Sequence, residues 1–446
     1  MTPRPLAASA HPPLSTDSGS RKQLFADRLD EARERTLLLI SGLSDEDLHT
    51  QHDPLMSPII WDVGHIAHFE ELWLTRNLSG PIEFSEMPGL YNPFEHPRAS
   101  RAALPLPTLR QMMQRLEEIR ARVLERLEVL EWDDENPLLR DGYVFNMVLQ
   151  HEYQHNETIL QTLQLKKGEP YHPQIRRDVP IGSRTPTGMV EFTGGGVSIG
   201  TDDRSAAYDN ERPRHHRHIK PFRIDSAPVT NGRYLSFMED SGYERAELWS
   251  EAGRKWLAES GAKSPEYWTR DGGSWITRAM DVTRAVDPMR PVCHVCYYEA
   301  EAFAKWDGKR LPTEFEWEAA ASSDGTHGPR RFPWGEGEAG SENSNIDQLT
   351  FDTAAVGSYS SNFSPIGCYG MIGDVWEWTS SDFTAYPGFE SFPYKEYSAE
   401  FFGSDYKVLR GGSWATRPGA IRNTFRNWDY PIRRQIFSGF RCAADA

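Results

Sequence analysis

The sequence predicts an α+β chain in two parts: an N-terminal four-helix bundle over residues 21–175, then a domain of short strands and short helices over residues 176–446. Three observations predict it. Up to Lys167, apolar residues recur at helical spacing in four long segments. The stretch GEPYHPQIRRDVPIGSRTPTG then breaks that period with prolines, glycines and turn residues. Beyond it the chain is dense in Gly, Trp and strand-like runs such as MVEFTGGGVSIGT and YKVLRGGSWAT. Residues 1–20, rich in Pro, Ser and Ala, are expected to form a disordered tail.

In chain order, KQLFADRLDEARERTLLLISGL is an amphipathic helix, and SPIIWDVGHIAHFEELWLTRNL a second, with Ser57 and Pro58 as its N-cap and first-turn signals. PTLRQMMQRLEEIRARVLERLEVL gives a third and YVFNMVLQHEYQHNETILQTLQL a fourth. Such a bundle can carry metal ligands on facing helices. In the second part, YYEAEAFAKW and PTEFEWEAAAS suit short helices. His215, His216 and His218 alternate along an expected edge strand with a solvated face. Cys293 and Cys296 form a CxxC without a second pair, and suit a half-buried strand running into a helix.

A chain of 446 residues is long enough for two cores. Its 49 Lys plus Arg against 65 Asp plus Glu give a formal charge of -16, which disfavours nucleic-acid and anionic membrane partners. No signal peptide and no spanning segment is evident, and four cysteines do not make a disulfide scaffold. A soluble, cytoplasmic protein is expected.

HEYQH, residues 151–155, matches the H-E-x-x-H pattern of zinc metalloproteases. His151 and His155 are four apart on a helix, so their side chains share one face. A third ligand is expected from the second helix, where His65 shares a face with Trp61 and Leu72 while His68 lines up with Glu71. A lone helical histidine is most often an ordinary imidazole; three on two facing helices point to a metal. A zinc hydrolase would need Glu152 as general base and a ligand farther downstream. The segment KKGEPYHPQIRR, broken by Gly and Pro, does not offer a ligand-bearing helix. A three-histidine site with open positions also suits Fe(II), and ligand type alone does not choose between zinc and iron.

GGGVSIGT, NERPRHHRHIKPFRIDSAPVTNGRY, GKRLPTEFEWEAAA, RRFPWG, GMIGDVWEWTSS, VLRGGSWAT and SGFRCAAD resemble the sulfatase-modifying-factor domain over about residues 187–445. This is the C-type-lectin-like fold of formylglycine-generating enzyme. That enzyme needs a cysteine pair just after RGGS; WATRPGAIRNTFRN has none here, so its copper chemistry is not implied. Joined to a DinB-like bundle with WDVGHIAHFEELW and HEYQH, the chain resembles the EgtB-type ergothioneine-biosynthesis sulfoxide synthase family, in its branch that uses γ-glutamylcysteine. LMSPIIWDVGHI and FRNWDYPIRRQIFSGFR carry the resemblance most specifically.

The resemblance implies an enzyme that joins a sulfur donor to the imidazole carbon of hercynine, using Fe(II) and with O2 as co-substrate. It places the iron ligands at His65, His151 and His155 and the catalytic tyrosine at Tyr394, with Tyr397 as the fallback. Donor-binding residues fall on Arg98, Asp429 and Arg433, whose forks and carboxylate suit an amino-acid-like thiol. Hercynine-binding positions fall on Gln154, Asn427 and Trp428, and on Phe69, which with His68 replaces a Gln-Gln pair of actinobacterial members. The sister selenoneine synthases (SenA) use the same frame with a selenosugar donor. The retained arginines favour sulfur, while the changed His68 and Phe69 and the N-terminal tail favour selenium; the reading leans to sulfur. A zinc hydrolase and a non-catalytic sugar-binding protein stay open as further alternatives.

Overall fold

The computed structural model describes residues 17–79, 89–180, 186–323 and 329–446. The four periodic segments form four long helices: α1, Ser18–Ile40; α2, Ile59–Glu71; α3, Leu109–Val129; and α4, Tyr143–Gln164. Helix α3 is amphipathic, burying the stripe Met112, Leu116, Ile119, Val123 and Leu127, and Thr108 with Gln111 closes a capping box at its start. Helices α2 and α4 are instead buried nearly all round, because other elements cover both of their faces. After Glu71 the second helix continues through a π-helical turn, Leu72–Arg76, a widening that is common beside functional sites.

Two local expectations need correction. Helix α1 starts at Ser18, capped by the Asp17 side chain, so residues 18–20 are helical rather than part of a disordered tail; residues 1–16 lie outside the described residues. Ser57 does not cap α2: Pro58 occupies the N-cap position, and the Ser57 hydroxyl accepts from Arg101 Nη1 at 2.7 Å.

The second part carries twelve short strands among the described residues. Strands β1 (Met189–Phe192), β4 (Phe222–Asp225) and β12 (Ala443–Asp445) form one antiparallel sheet in the order β1-β4-β12. Strands β2 (Gly195–Ile199) and β3 (His215–Ile219) pair as a ribbon, leaving His216 and His218 exposed as expected of an edge. A meander joins β5 (Trp268–Asp271), β6 (Ser274–Ala279) and β7 (Val282–Ala285). The sheet that matters for the site runs β10-β9-β8-β11, from β8 (Trp376–Phe383), β9 (Gly403–Arg410), β10 (Asn427–Asp429) and β11 (Ser438–Gly439). The CxxC segment is not a strand. It crosses the core as irregular chain, with Val292 N donating to Val229 O at 2.9 Å, and Cys296 is the N-cap of the helix Tyr297–Trp306; both cysteines are free thiols.

The second part packs directly on α4. Glu157, buried in that helix, accepts from Trp376 Nε1 at 2.7 Å, Ser413 Oγ at 2.8 Å and Thr416 Oγ1 at 2.8 Å. The turn that delivers Ser413 needs Gly411 and Gly412, at φ 94° and 76°, where a side chain would be strained and would also strike Met371 O or Ile421. Arg422 Nη1 donates to Gln150 Oε1 at 2.9 Å, and Gln164 Oε1 accepts from Met280 N at 2.7 Å. Among the described residues, no helix is long and apolar enough to cross a membrane.

Replacing Glu157 by Ala strands three buried donors, each costing about 1–3 kcal/mol. Urea denaturation of Glu157→Ala should show a loss of at least about 2 kcal/mol.

Candidate metal centre

Helices α2 and α4 lie side by side, and His65, His151 and His155 converge in the seam between them. Their ligand atoms all lie within 4.8 Å of one another, and His65 Nε2 is 3.1 Å from His151 Nε2. The outer ring nitrogens are tied down. His65 Nδ1–H donates to the carbonyl of Tyr91 at 2.9 Å, and His155 Nδ1–H donates to Asp62 Oδ1 at 3.1 Å. A carbonyl and a carboxylate only accept, so both rings carry a proton on Nδ1 and point Nε2 inward. Phe69 stacks on the His151 ring at 3.7 Å with an interplanar angle of 9°, and Trp61 stacks on His65 at 4.9 Å.

Burial, with the neighbouring His155 second, holds the pKa of both His65 and His151 well below the ordinary histidine value, so both are neutral at physiological pH. Three converging imidazoles, two of them oriented by outer partners, fit a divalent first-row metal such as Fe(II) or Zn(II). His68 is also buried, but it lies outside the cluster, beside the Tyr91 ring at 6.2 Å.

Glu152 is turned away from the cluster. Its Oε1 accepts from Arg33 Nε at 3.0 Å and from Thr36 Oγ1 at 2.6 Å, and it is 1 % exposed. The zinc-hydrolase alternative therefore loses its general base, because a residue clamped on the far face of the helix cannot reach a metal-bound water.

The second part closes over the seam with aromatic rings. Tyr394 meets Phe69 edge-on at 6.2 Å and lies 5.3 Å from Trp73, a residue of the π-helical turn. Tyr397 stacks on Tyr208 at 4.1 Å. Gln154, one residue before His155, is held between them: Tyr208 Oη donates to its Oε1 at 3.0 Å and its Nε2 donates to Tyr397 Oη at 3.3 Å. Burial raises the pKa of Tyr394, Tyr397 and Tyr208, so all three remain neutral phenols. Trp428 stacks on Phe383 at 4.1 Å and meets Tyr397 edge-on at 5.8 Å; Asn427 Oδ1 accepts from Trp428 N at 3.0 Å.

Asp429 and Arg433 form an ion pair at 3.3 Å, and Arg433 Nη1, buried, has no hydrogen-bond partner among the described residues. Arg98 comes from the bundle side, on the turn Arg98–Ala103, and lies within the electrostatic field of Arg433, Asp429 and Asp62. Burial pushes the Asp429 carboxyl up against the pull of these two arginines. The sequence-predicted residues thus gather into an imidazole cluster, an aromatic wall and a charged group. Sequence reasoning missed Asp62, Tyr91, Tyr208 and Trp73. Asp62, on the same helix as His65, could have been suspected as a carboxylate partner; Tyr91 acts through its backbone carbonyl, which no residue type announces.

Comparison with known proteins agrees with this architecture. Residues 28–159 match the DinB superfamily and residues 177–446 match the sulfatase-modifying factor enzyme 1-like domain. The chain is 42% identical to the hercynine oxygenase of Mycolicibacterium smegmatis, over 95% of this chain and 99% of that protein. It is 44% identical to the hercynine oxygenase of Mycobacterium tuberculosis, over 94% of this chain and 98% of that protein. The formylglycine-generating enzyme of Streptomyces coelicolor is 33% identical over 59% of this chain and 91% of its own length. With a helical domain and a second domain both matched, and full-length relatives at this identity, the chain belongs to the hercynine oxygenase family.

Proposed function

We propose that this protein is an iron-dependent oxygenase that joins a sulfur donor, of the γ-glutamylcysteine type, to the imidazole carbon of hercynine. The observation that carries the reading is the convergence of the three imidazoles, with His65 and His155 turned Nε2-inward by the Tyr91 and Asp62 contacts. His65, His151 and His155 would hold Fe(II), which when bound supplies a centre where O2 is activated beside the substrates.

The protein's own residues would then do three things. The Trp428 and Tyr397 rings offer faces to the trimethylammonium of hercynine, and Asn427 and Gln154 offer amide groups to its polar end. Gln154 is already braced by Tyr208 and Tyr397, so it presents its remaining N–H in a fixed direction rather than as a free side chain. Arg98 and Arg433 suit the carboxylates of the donor and Asp429 its ammonium, a pairing that favours an amino-acid-like thiol over a sugar. Tyr394, kept protonated by its burial and lying against Phe69 and Trp73, would act as the O–H donor that delivers a proton at the reacting centre. Proximity is the main contribution of such a site, since it holds both reactants at one place.

Three outcomes test the reading. Purified protein with Fe(II), O2 and hercynine, offered γ-glutamylcysteine, cysteine and a 1-seleno-N-acetylhexosamine together, should yield mainly the γ-glutamylcysteine sulfoxide conjugate by mass spectrometry; preference for the selenosugar would move the protein to selenoneine synthesis, and unconsumed hercynine would overturn the proposal. Asp62→Asn, which removes the carboxylate behind His155, should weaken metal binding by about tenfold to a hundredfold in a chelator competition. Gly64→Ala should weaken it as well, because a Cβ there would lie 2.3 Å from the Tyr91 ring and displace the residue whose carbonyl orients His65.

A further inference from the structure

The interior of the bundle holds a second set of charges that neither the imidazole cluster nor the Asp429–Arg433 pair uses. Arg33 of α1 donates from Nη2 to Glu70 Oε2 of α2 at 2.6 Å and from Nε to Glu152 Oε1 of α4 at 3.0 Å. Arg120 of α3 grips the same Glu70 through Nε at 2.8 Å and Nη2 at 3.2 Å, and reaches Asp30 of α1 through Nη1 at 2.8 Å. Thr36 donates to Glu152 Oε1 at 2.6 Å and accepts from Asn156 Nδ2 at 2.7 Å. This one network touches all four helices. Arg33, Glu70, Arg120 and Glu152 are all buried, the two carboxylates almost completely.

Stability is a poor reason for such a network. Desolvating two guanidinium groups and two carboxylates is costly, and apolar side chains of similar volume often serve a core equally well or better. Directional bonding explains it better. An apolar core tolerates small slips and rotations of a helix, whereas a chelate needs its ligands within a fraction of an ångström. The network also sits where control of the chelate requires it. Glu152 follows His151 directly, and Glu70 follows Phe69, whose ring stacks on His151 at 3.7 Å.

We propose that Arg33, Glu70, Arg120 and Glu152 form a positioning device for the metal centre, fixing the rotation and height of α2 against α4 so that the three imidazoles meet. The glutamate of the HEYQH motif then serves the metal from behind, as an anchor for the helix that carries His151 and His155. This rests on the reading that these histidines hold a metal.

Co(II) is the probe, because its visible bands report ligand geometry independently of turnover. Wild-type protein should bind Co(II) and His151→Ala should not; if wild type fails to bind, the metal reading falls. In the fourfold apolar variant Arg33→Met, Glu70→Leu, Arg120→Met, Glu152→Leu, helical circular dichroism and the unfolding midpoint should be retained. Its Co(II) affinity should fall about tenfold to a hundredfold, with shifted visible bands. Arg33→Lys, which keeps the charge but loses the forked reach, should show a smaller loss with an unchanged fold. Wild-type Co(II) affinity and bands in both variants would overturn the proposal, as would an apolar variant that no longer folds, since the network would then be an ordinary source of stability.

Discussion

The rest of the structure depends on one close approach: His65 Nε2 and His151 Nε2, 3.1 Å apart, inside the seam between two helices. Two imidazole lone pairs cannot face each other in a low-dielectric interior unless a proton or a cation lies between them. Burial keeps both rings neutral, and the Tyr91 carbonyl fixes the proton of His65 on its outer nitrogen. The pair is closed either by an Nε2–H of His151 or by a metal ion, and it constrains everything around it. Helix α2 must carry glycine at position 64 for Tyr91 to approach, and helix α4 must be held on both faces.

The second domain supplies the outer support. It grips α4 through Glu157, Gln150 and Gln164, and brings Tyr394, Tyr397 and Tyr208 over the open side of the cluster. The site is thus composite: three imidazoles from the bundle, an aromatic wall and the Asp429–Arg433 ion pair from the second domain, and Arg98 on the bundle side, where its Nη1 donates to Leu55 O at 3.2 Å. Clefts between domains commonly host small-molecule sites, because each wall can be shaped by a separate scaffold. Helix α4 belongs to both cores, which makes the relative placement of the walls as rigid as the helix itself.

Much of this was legible in the sequence. The helical period marked the four long helices, because long periodic segments repeat their apolar spacing many times over. The i, i+4 spacing in HEYQH and the face shared by His65 and Trp61 identified the three imidazoles that converge. Other features were not legible, for physical reasons. HEYQH looks the same whether Glu152 faces a metal or a buried arginine, and only the position of Arg33, 119 residues away in sequence, decides it. Ser57 looks like a cap by residue type, yet Arg101 takes its hydroxyl. The CxxC segment alternates like a strand but lacks a continuous partner edge, so it stays irregular. Gln154 carries no sign in its own segment of the two tyrosines that brace it, because both come from the second domain.

The central claim is that these three imidazoles hold iron where hercynine can reach it. X-ray absorption at the iron edge, on Fe(II)-loaded protein with and without hercynine under anaerobic conditions, tests it most directly. The account predicts a first shell with imidazole scattering from three histidines, lost in His151→Ala, and a first shell that changes when hercynine is added. Iron without imidazole scattering, or a spectrum indifferent to both His151 and hercynine, would contradict it.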